Sequence, residues 1–361
     1  MKNTDKNSFY VIGLMSGTSL DGLDIAYCYF LEKDNNWHFE IFNAETVPYN
    51  TELKEKLGNC NKLSAKDFLI FHNEYGKWIG QKVNNFIKEH KINNIDFIAS
   101  HGHTVFHEPD KNFNFQIGNP YFILKETQIP VVADFRTKNI VFDGQGAPLV
   151  PIGDRLLFGS YTFRINIGGF ANISYENEQG KTIAFDICPA NIIINLITRE
   201  YFGQDMDKDG KIAQSGKIIP SLLNSLNNID YYKQNPPKSL AKEWLDTIFL
   251  PKLTPYFDKN KPEDILRTLY EHIAMQITTV TRTDSPILLS GGGAKNKFLI
   301  ELLKQKAGEE NIIIPSQKII NFKESLIFAF LGILAHCDIN NCYSSYTGST
   351  MDMVCGQWYS L

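Results

Sequence analysis

The chain has 361 residues, 43% of them hydrophobic and 21% charged, which are ordinary values for a folded globular protein. At about 150 residues per domain this is roughly 2.4 domains' worth, enough to bury a real core without disulfide staples, so global disorder is excluded. Lys and Arg number 36 against 40 Asp and Glu, and the resulting charge of −4 excludes a nucleic-acid or anionic-membrane footprint by composition.

The N-terminus carries Lys2 and Lys6 before the apolar run 9–15, but that run is short and no small-residue cleavage site follows, so a signal peptide is not expected. Further strands are expected at 24–31, 38–47, 96–100, 131–134, 162–167, 182–186, 286–290 and 311–314. Helices are expected at 65–89, 191–202, 238–249, 262–281, 296–307 and 323–337. In the first of these, Phe68, Phe71, Tyr75, Trp78, Ile79 and Phe86 recur at steps of three and four. The longest apolar stretch, 325–337, is too short to span a bilayer. The segment 224–237 is polar and proline-ended, and reads as a loop rather than core. Six cysteines (28, 60, 188, 337, 342 and 355) lack C-x-x-C spacing, which points to reduced thiols in a cytoplasmic protein. Strands interleaved with helices predict an α/β fold. The plan strand, glycine-rich turn, strand occurs twice, at 9–30 and 162–175, and suggests two related domains facing a cleft.

Several turns have the composition of ligand sites. Met15-Ser16-Gly17-Thr18-Ser19-Leu20-Asp21-Gly22 follows an apolar strand. Its backbone N–H groups and hydroxyls suit phosphate oxygens, and Asp21 or Asp24 suits magnesium, although Asp-Gly alone marks a plain hairpin. Ser290-Gly291-Gly292-Gly293-Ala294-Lys295-Asn296 lets a flat ligand lie on the backbone, with Asn296 either binding it or capping a helix. Neither G-x-G-x-x-G nor a Walker A loop is present. Asp205, Asp207 and Asp209 begin like a calcium loop, but position twelve is Gly216 rather than Glu, which favours an ordinary turn. His101, His103, His107 and Glu108 have metal-like spacing without obvious further ligands, so hydrogen-bonding roles are favoured. Asp186, at a strand end, is either a general base or a helix cap.

Taken together these segments resemble the anhydro-N-acetylmuramic acid kinases, of the sugar kinase, heat-shock ATPase and actin superfamily. The matching stretches are GLMSGTSLDGLD (13–24), SHGHTVFHEP (100–109), QIGNP (116–120), ADFR (133–136), GQGAPLVP (144–151), NIGGFANIS (166–174), FDICPAN (185–191), DGKIA (209–213) and SGGGAKN (290–296). The resemblance implies a two-domain actin-like ATPase fold, with one lobe at 1–135 and a second at 136–361, and the nucleotide in the cleft. It implies an enzyme using ATP and Mg²⁺ to hydrolyse the 1,6-anhydro ring of an amino sugar and phosphorylate O6. Asp186 would be the catalytic base. Ser16, Gly17, Thr18, Ser19, Asp21, Gly22 and Asp24 would hold phosphates, with Asp21 on the metal. Gly168, Gly169 and Asn172 would form a second phosphate turn, and Gly291, Gly292, Gly293 and Asn296 would face adenosine. His101, His103, Thr104, His107, Arg136, Gln145 and Glu324 would line the sugar site. A cytoplasmic homodimer is implied, with no nucleic-acid or membrane partner.

The chain departs from the family pattern in places. Ile187, Cys188 and Ala190 replace Thr and two Gly of the usual FDTGPGN; Asn139 stands for Asp, and His103 for Gln. These changes leave two alternatives open, a paralogue with an altered sugar substrate and a non-catalytic nucleotide-binding regulator. A hydrolase using His101, His103 and His107 on a metal is a third.

Overall fold

The computed structural model describes residues 6–17, 19–281 and 285–361. The apolar run at 9–15 becomes β1 (Ser8–Ser16), and β2 (Gly22–Lys33) and β3 (Asn36–Pro48) follow it as antiparallel neighbours. β4 (Phe97–Glu108) then pairs parallel with β1 and extends antiparallel to β5 (Phe113–Ile117), while β6 (Val131–Ala133) joins parallel to β4. The second half repeats the plan. β7 (Phe163–Ile167), β8 (Phe170–Glu176) and β9 (Thr182–Pro189) run antiparallel in sequence, and β10 (Ile287–Ser290) and β11 (Ile312–Ile313) add parallel to β7. The order β6-β4-β1-β2-β3 is therefore repeated as β11-β10-β7-β8-β9, with the same strand directions. This doubled α/β order is the actin-like ATPase plan, and the echo between the two glycine turns marks its two starting points.

The chain divides into two compact units, 1–157 with 322–361, and 158–321. This differs from the expected boundary at 135/136. Within the first unit Lys323 pairs with Asp154 at 2.6 Å, the Gln145 N–H donates to the Thr347 carbonyl, and β12 (Gln357–Tyr359) lies antiparallel to β6. The glycine turn signals where each unit begins, but the return of 322–361 carries no comparable signal.

In the first unit the helix Ala65–Glu89 is the one its periodicity predicts. Ser64 caps it by accepting the Asp67 N–H, and the Ser64 hydroxyl donates back to the Asp67 carboxylate at 2.6 Å. Its stripe Phe71, Tyr75, Ile79, Val83 and Phe86 packs with Ile12, Leu14 and Ile98 of the sheet. The stretch at 325–337 belongs to a longer helix, Gln317–His336, which by length and composition alone could cross a membrane. It is a core helix: 78% of its most apolar window is buried, and Gly332 lies against Phe97 and Ala99. In the second unit 224–237 is also more than a loop, because Leu226, Ile229 and Tyr231 join the core with Ile165, Ile187 and Phe249.

Candidate functional site

In the first unit β1 ends at Ser16, paired with Leu23 of β2 and leaving 17–21 outside the ladder. That turn is wider than the two-residue hairpin an Asp-Gly pair usually makes. Thr18 lies outside the described residues. Ser19 and Asp21 are exposed, and the Leu20 N–H closes the turn onto the Gly17 carbonyl at 3.3 Å. Gly22 is required because a Cβ there would lie 2.5 Å from the Val47 carbonyl oxygen. Asp24 accepts from the Thr46 hydroxyl at 2.5 Å; burial and the Asp21 charge raise its pKa against that hydrogen bond.

A bulge at Gly102 separates the histidines. Gly102 has φ +73° and its absent Cβ would meet the Ile117 carbonyl at 2.7 Å, so the ladder slips between Leu14 and Ser16. His101 consequently packs on the Phe328 ring of the helix Gln317–His336, whereas His103 lies opposite Ser16. The Arg136 Nε donates to His101 Nε2 at 3.0 Å, leaving the ring hydrogen on Nδ1 for the Gly102 carbonyl. Burial and the Arg136 charge hold the His101 pKa well below 6.5, so it is neutral. Arg136 Nη1 also donates to the Gly146 carbonyl at 2.6 Å, and although burial lowers its pKa to about 10 it stays charged at neutral pH. Asn139, fully buried, accepts the Gly146 N–H at 2.8 Å and donates to Thr347, which shapes the loop carrying Gln145. Thr104 accepts from Gln116 at 3.5 Å. His107 is exposed, its pKa lowered by partial desolvation and by Arg136. Glu324 is exposed too; desolvation and the Asp24 charge raise its pKa, against Lys323 and Arg136. Asp24, Arg136, His101 and Glu324 thus form one electrostatically linked group.

In the second unit Gly168-Gly169 forms the two-residue turn between β7 and β8. Its carbonyls accept the Ala190, Asn191 and Ile192 N–H groups at 2.8–3.1 Å, docking the start of the helix Asn191–Phe202. Asn172 pairs with Asp186 across β8 and β9. Asp186 is fixed from two sides: its carbonyl accepts at 2.6 Å the hydroxyl of Tyr231, in the segment expected to be a loop, and its Oδ2 accepts at 2.8 Å the N–H of Leu240, which precedes the helix Lys242–Trp244 although the sequence predicts a helix from 238. Burial raises the carboxylate pKa and the Leu240 N–H partly offsets this, which leaves an oriented carboxylate more basic than a free one.

The triple-glycine turn is tight for packing reasons. A Cβ on Gly291 would meet Asn166 Oδ1 at 2.4 Å and one on Gly293 would meet Ile167 Cγ2 at 2.2 Å, while Gly292 has room. Asn296 caps the helix Lys297–Ala307: its Oδ1 accepts the Leu299 N–H at 3.1 Å, and its amide donates to the Tyr270 hydroxyl and the Asp207 carbonyl. Asp207 is a cap as well, accepting the Ile212 and Ala213 N–H groups, so the Asp205–Asp209 run is a structural turn. Among the described residues the one gathering of ligand atoms close enough to share an ion is Glu45, Glu89 and His90, which includes neither that run nor the histidines of β4.

The profile of the anhydro-N-acetylmuramic acid kinase family matches residues 9–360. The chain belongs to this family. The anhydro-N-acetylmuramic acid kinase of Hydrogenovibrio crunogenus (strain DSM 25203 / XCL-2) is 35% identical over 367 residues, covering 96% of each chain. That of Bacillus cereus (strain 03BB102) is 31% identical over 376 residues, covering 96% of this chain and 98% of the relative. Among solved structures, (R)-2-hydroxyglutaryl-CoA dehydratase component A of Acidaminococcus fermentans aligns over 89% of this chain and 96% of that one, at 11% identity and TM-score 0.43. This chain is thus a sugar kinase of the anhydro-N-acetylmuramic acid kinase family, and the regulator reading is not favoured.

For an anhydro-N-acetylmuramic acid kinase the departures around Asp186 now have a physical reading. Ile187, Cys188 and Ala190 are buried members of the second unit's hydrophobic core. Thr→Ile and the two Gly replacements therefore repack the interior beneath Asp186. Tyr231 and Leu240, which orient Asp186, were not legible in the sequence, because a tyrosine in a polar stretch and a backbone N–H leave no signal of such a contact. Asn296→Ala should cost about 1–2 kcal/mol of stability through the lost cap and the lost tie to Asp207. Urea unfolding checks this; an unchanged midpoint together with weakened ATP binding would return Asn296 to the ligand.

Proposed function

We propose that this chain opens the 1,6-anhydro ring of anhydro-N-acetylmuramic acid and phosphorylates O6 at the expense of ATP, giving N-acetylmuramic acid 6-phosphate for peptidoglycan recycling. The observation that carries this reading is Asp186, a partly buried carboxylate of raised pKa held by the Leu240 N–H at a strand end. It takes a proton from water as the water oxygen bonds to the anomeric carbon. The bond from that carbon to O6 breaks, O6 accepts the γ-phosphoryl group, and the bond to ADP breaks.

On this reading the turn 16–24 holds nucleotide phosphates through its N–H groups, Gly168, Gly169 and Asn172 shape the second turn, and Gly291–Gly293 take the adenosine. Asn296 serves the Gly291–Gly293 turn by capping the helix that follows it. Arg136, neutral His101 and Gln145 order the sugar-side loop, with Thr104, His107 and Glu324 as further polar contacts. A divalent cation fits Asp21: the donors are oxygens, and the Asp21 charge adds to burial in raising the Asp24 pKa, a repulsion that a cation would relieve. Mg²⁺ held by Asp21, with Asp24 beside it, would neutralise phosphate charge. A cytoplasmic homodimer completes the proposal, and six cysteines that form no disulfide suit a reducing compartment.

Purified protein with ATP, Mg²⁺ and anhydro-N-acetylmuramic acid should release ADP and a 6-phosphorylated open sugar in equal amounts. ATP binding without sugar phosphorylation would favour an altered substrate. Stoichiometric bound zinc, with hydrolysis independent of ATP, would sink the kinase mechanism.

A further inference from the structure

A chain of buried side chains lies under the turn 17–21. The strand β1 sends Ile12, Leu14 and Ser16 to the face covered by the helix Ala65–Glu89. The Gly102 bulge turns His103 to the same face, where its Nδ1 lies 3.0 Å from Ser16 Oγ. Ser16 Oγ is in turn 2.7 Å from the Tyr49 hydroxyl, and that hydroxyl is 2.7 Å from the Tyr75 hydroxyl. Tyr75 is fully buried, Ser16 2% and His103 5% exposed, so water cannot complete an unfinished hydrogen bond at the deep end.

This geometry limits the direction of the hydrogens. Three hydroxyls and one ring nitrogen share three contacts. If Nδ1 carried a hydrogen, the chain would run from His103 through Ser16 and Tyr49 to Tyr75, and the acceptor left to the Tyr75 hydrogen would be Ser16, which would already accept from His103 and donate to Tyr49. The reverse direction satisfies every hydrogen: Tyr75 donates to Tyr49, Tyr49 to Ser16, and Ser16 to an unprotonated Nδ1. Resting on the reading of 16–24 as the phosphate turn, we propose that His103 is a positioning residue whose Nδ1 accepts from Ser16 and so presents Ser16 to the bound nucleotide complex as an acceptor. Ser16 then meets a donor, such as a cation-bound water or a backbone N–H, and does not donate to a phosphate oxygen. The expected donation from Ser16 to phosphate is thereby replaced. The usual family residue at 103, glutamine, can accept through its side-chain oxygen.

Burial lowers the His103 pKa from 6.5, so the acceptor is present at neutral pH and is lost on acidification, when Nδ1 gains a proton. The titratable groups facing the chain are Tyr49 and Tyr75 across from His103 and His101 on its own strand, and Asp24 is the charge acting on Tyr49. Nitrogen-15 spectra of the full-length protein should show the His103 hydrogen on Nε2. His103→Leu should lower kcat/KM for MgATP about tenfold, the order expected for one buried hydrogen bond. His103→Gln should restore it to within about twofold and should lose the part of the wild-type acid limb that belongs to His103. If His103→Leu fails to fold, Tyr49→Phe keeps the ring, removes the donor to Ser16 and should show a smaller fall in the same parameter. A hydrogen on Nδ1, an unchanged kcat/KM in His103→Leu, or an acid limb in His103→Gln identical to wild type would overturn the proposal. An Asp21→Asn variant with normal MgATP kinetics would remove the phosphate-turn reading alone, and the tautomer and the His103 variants would still decide this one.

Discussion

Asp186→Asn should lower kcat by about 10³-fold while leaving ATP affinity within about twofold, because general-base catalysis is worth roughly 10²–10⁴ and the base makes no expected contact with nucleotide. Asparagine keeps a side-chain oxygen for the Leu240 N–H and still pairs across from Asn172, so the geometry of β9 survives. What it loses is the lone pair that takes the proton. Steady-state ADP release with the anhydro sugar, alongside calorimetric ATP binding, checks both halves. Turnover above a tenth of wild type would move the base to another residue.

The same substitution should stabilise the fold. The pKa of Asp186 is raised by burial, so its folded value lies above its unfolded one. Ionisation therefore costs folding free energy at neutral pH, and that cost disappears as pH falls through the folded pKa toward the ordinary carboxylate value. Removing the charge should raise the unfolding midpoint at pH 7, with the gain shrinking in acid. Catalytic acid limbs point the same way: activity should fall as pH drops through the raised Asp186 pKa, that is, above 3.8. A base held at a stability cost is the pattern expected of a functional carboxylate rather than a structural one.

How much of this was readable in the sequence depends on the reach of each interaction. Both glycine turns, Asp186 and the helix Ala65–Glu89 were legible because a strand followed by small residues, or a stripe at steps of three and four, is a local pattern. The three-residue strand β12 and the return of 322–361 to the first unit depend on pairing with β6, more than 200 positions away, and nothing local announces it. Asn296 was legible as polar and well placed, yet cap and ligand contact look identical until the Leu299 and Asp207 partners are seen. The histidines of β4 looked like one cluster because their spacing is regular; a single left-handed glycine between two of them sends them to different faces. Ile187, Cys188 and Ala190 read in the sequence as changes beside Asp186, and the structure adds that all three are buried in the second unit's core.

Gly13→Ala should destabilise the protein by about 3 kcal/mol or more, beyond the usual range for an added core methyl. Gly13 sits mid-strand in β1, where a glycine normally weakens a sheet, so packing must require it. A Cβ there would lie 1.9 Å from the Ser325 carbonyl oxygen, 2.9 Å from its carbon and 3.0 Å from the Ala329 Cβ. Two of those three atoms are backbone and cannot rotate aside, so the helix Gln317–His336 must lift off the sheet. That helix carries Phe328 against His101 and places Glu324 near Arg136, so its displacement should also disturb the sugar side. Gly17→Ala is the matched control: its nearest neighbour would be Ser19 Oγ at 3.6 Å, an ordinary contact, so stability should be nearly unchanged while MgATP affinity weakens. Urea midpoints for the two variants separate packing from ligand approach. Equal midpoints would mean that helix and strand can part at little cost, and the first unit would then owe its rigidity to the other face of the sheet.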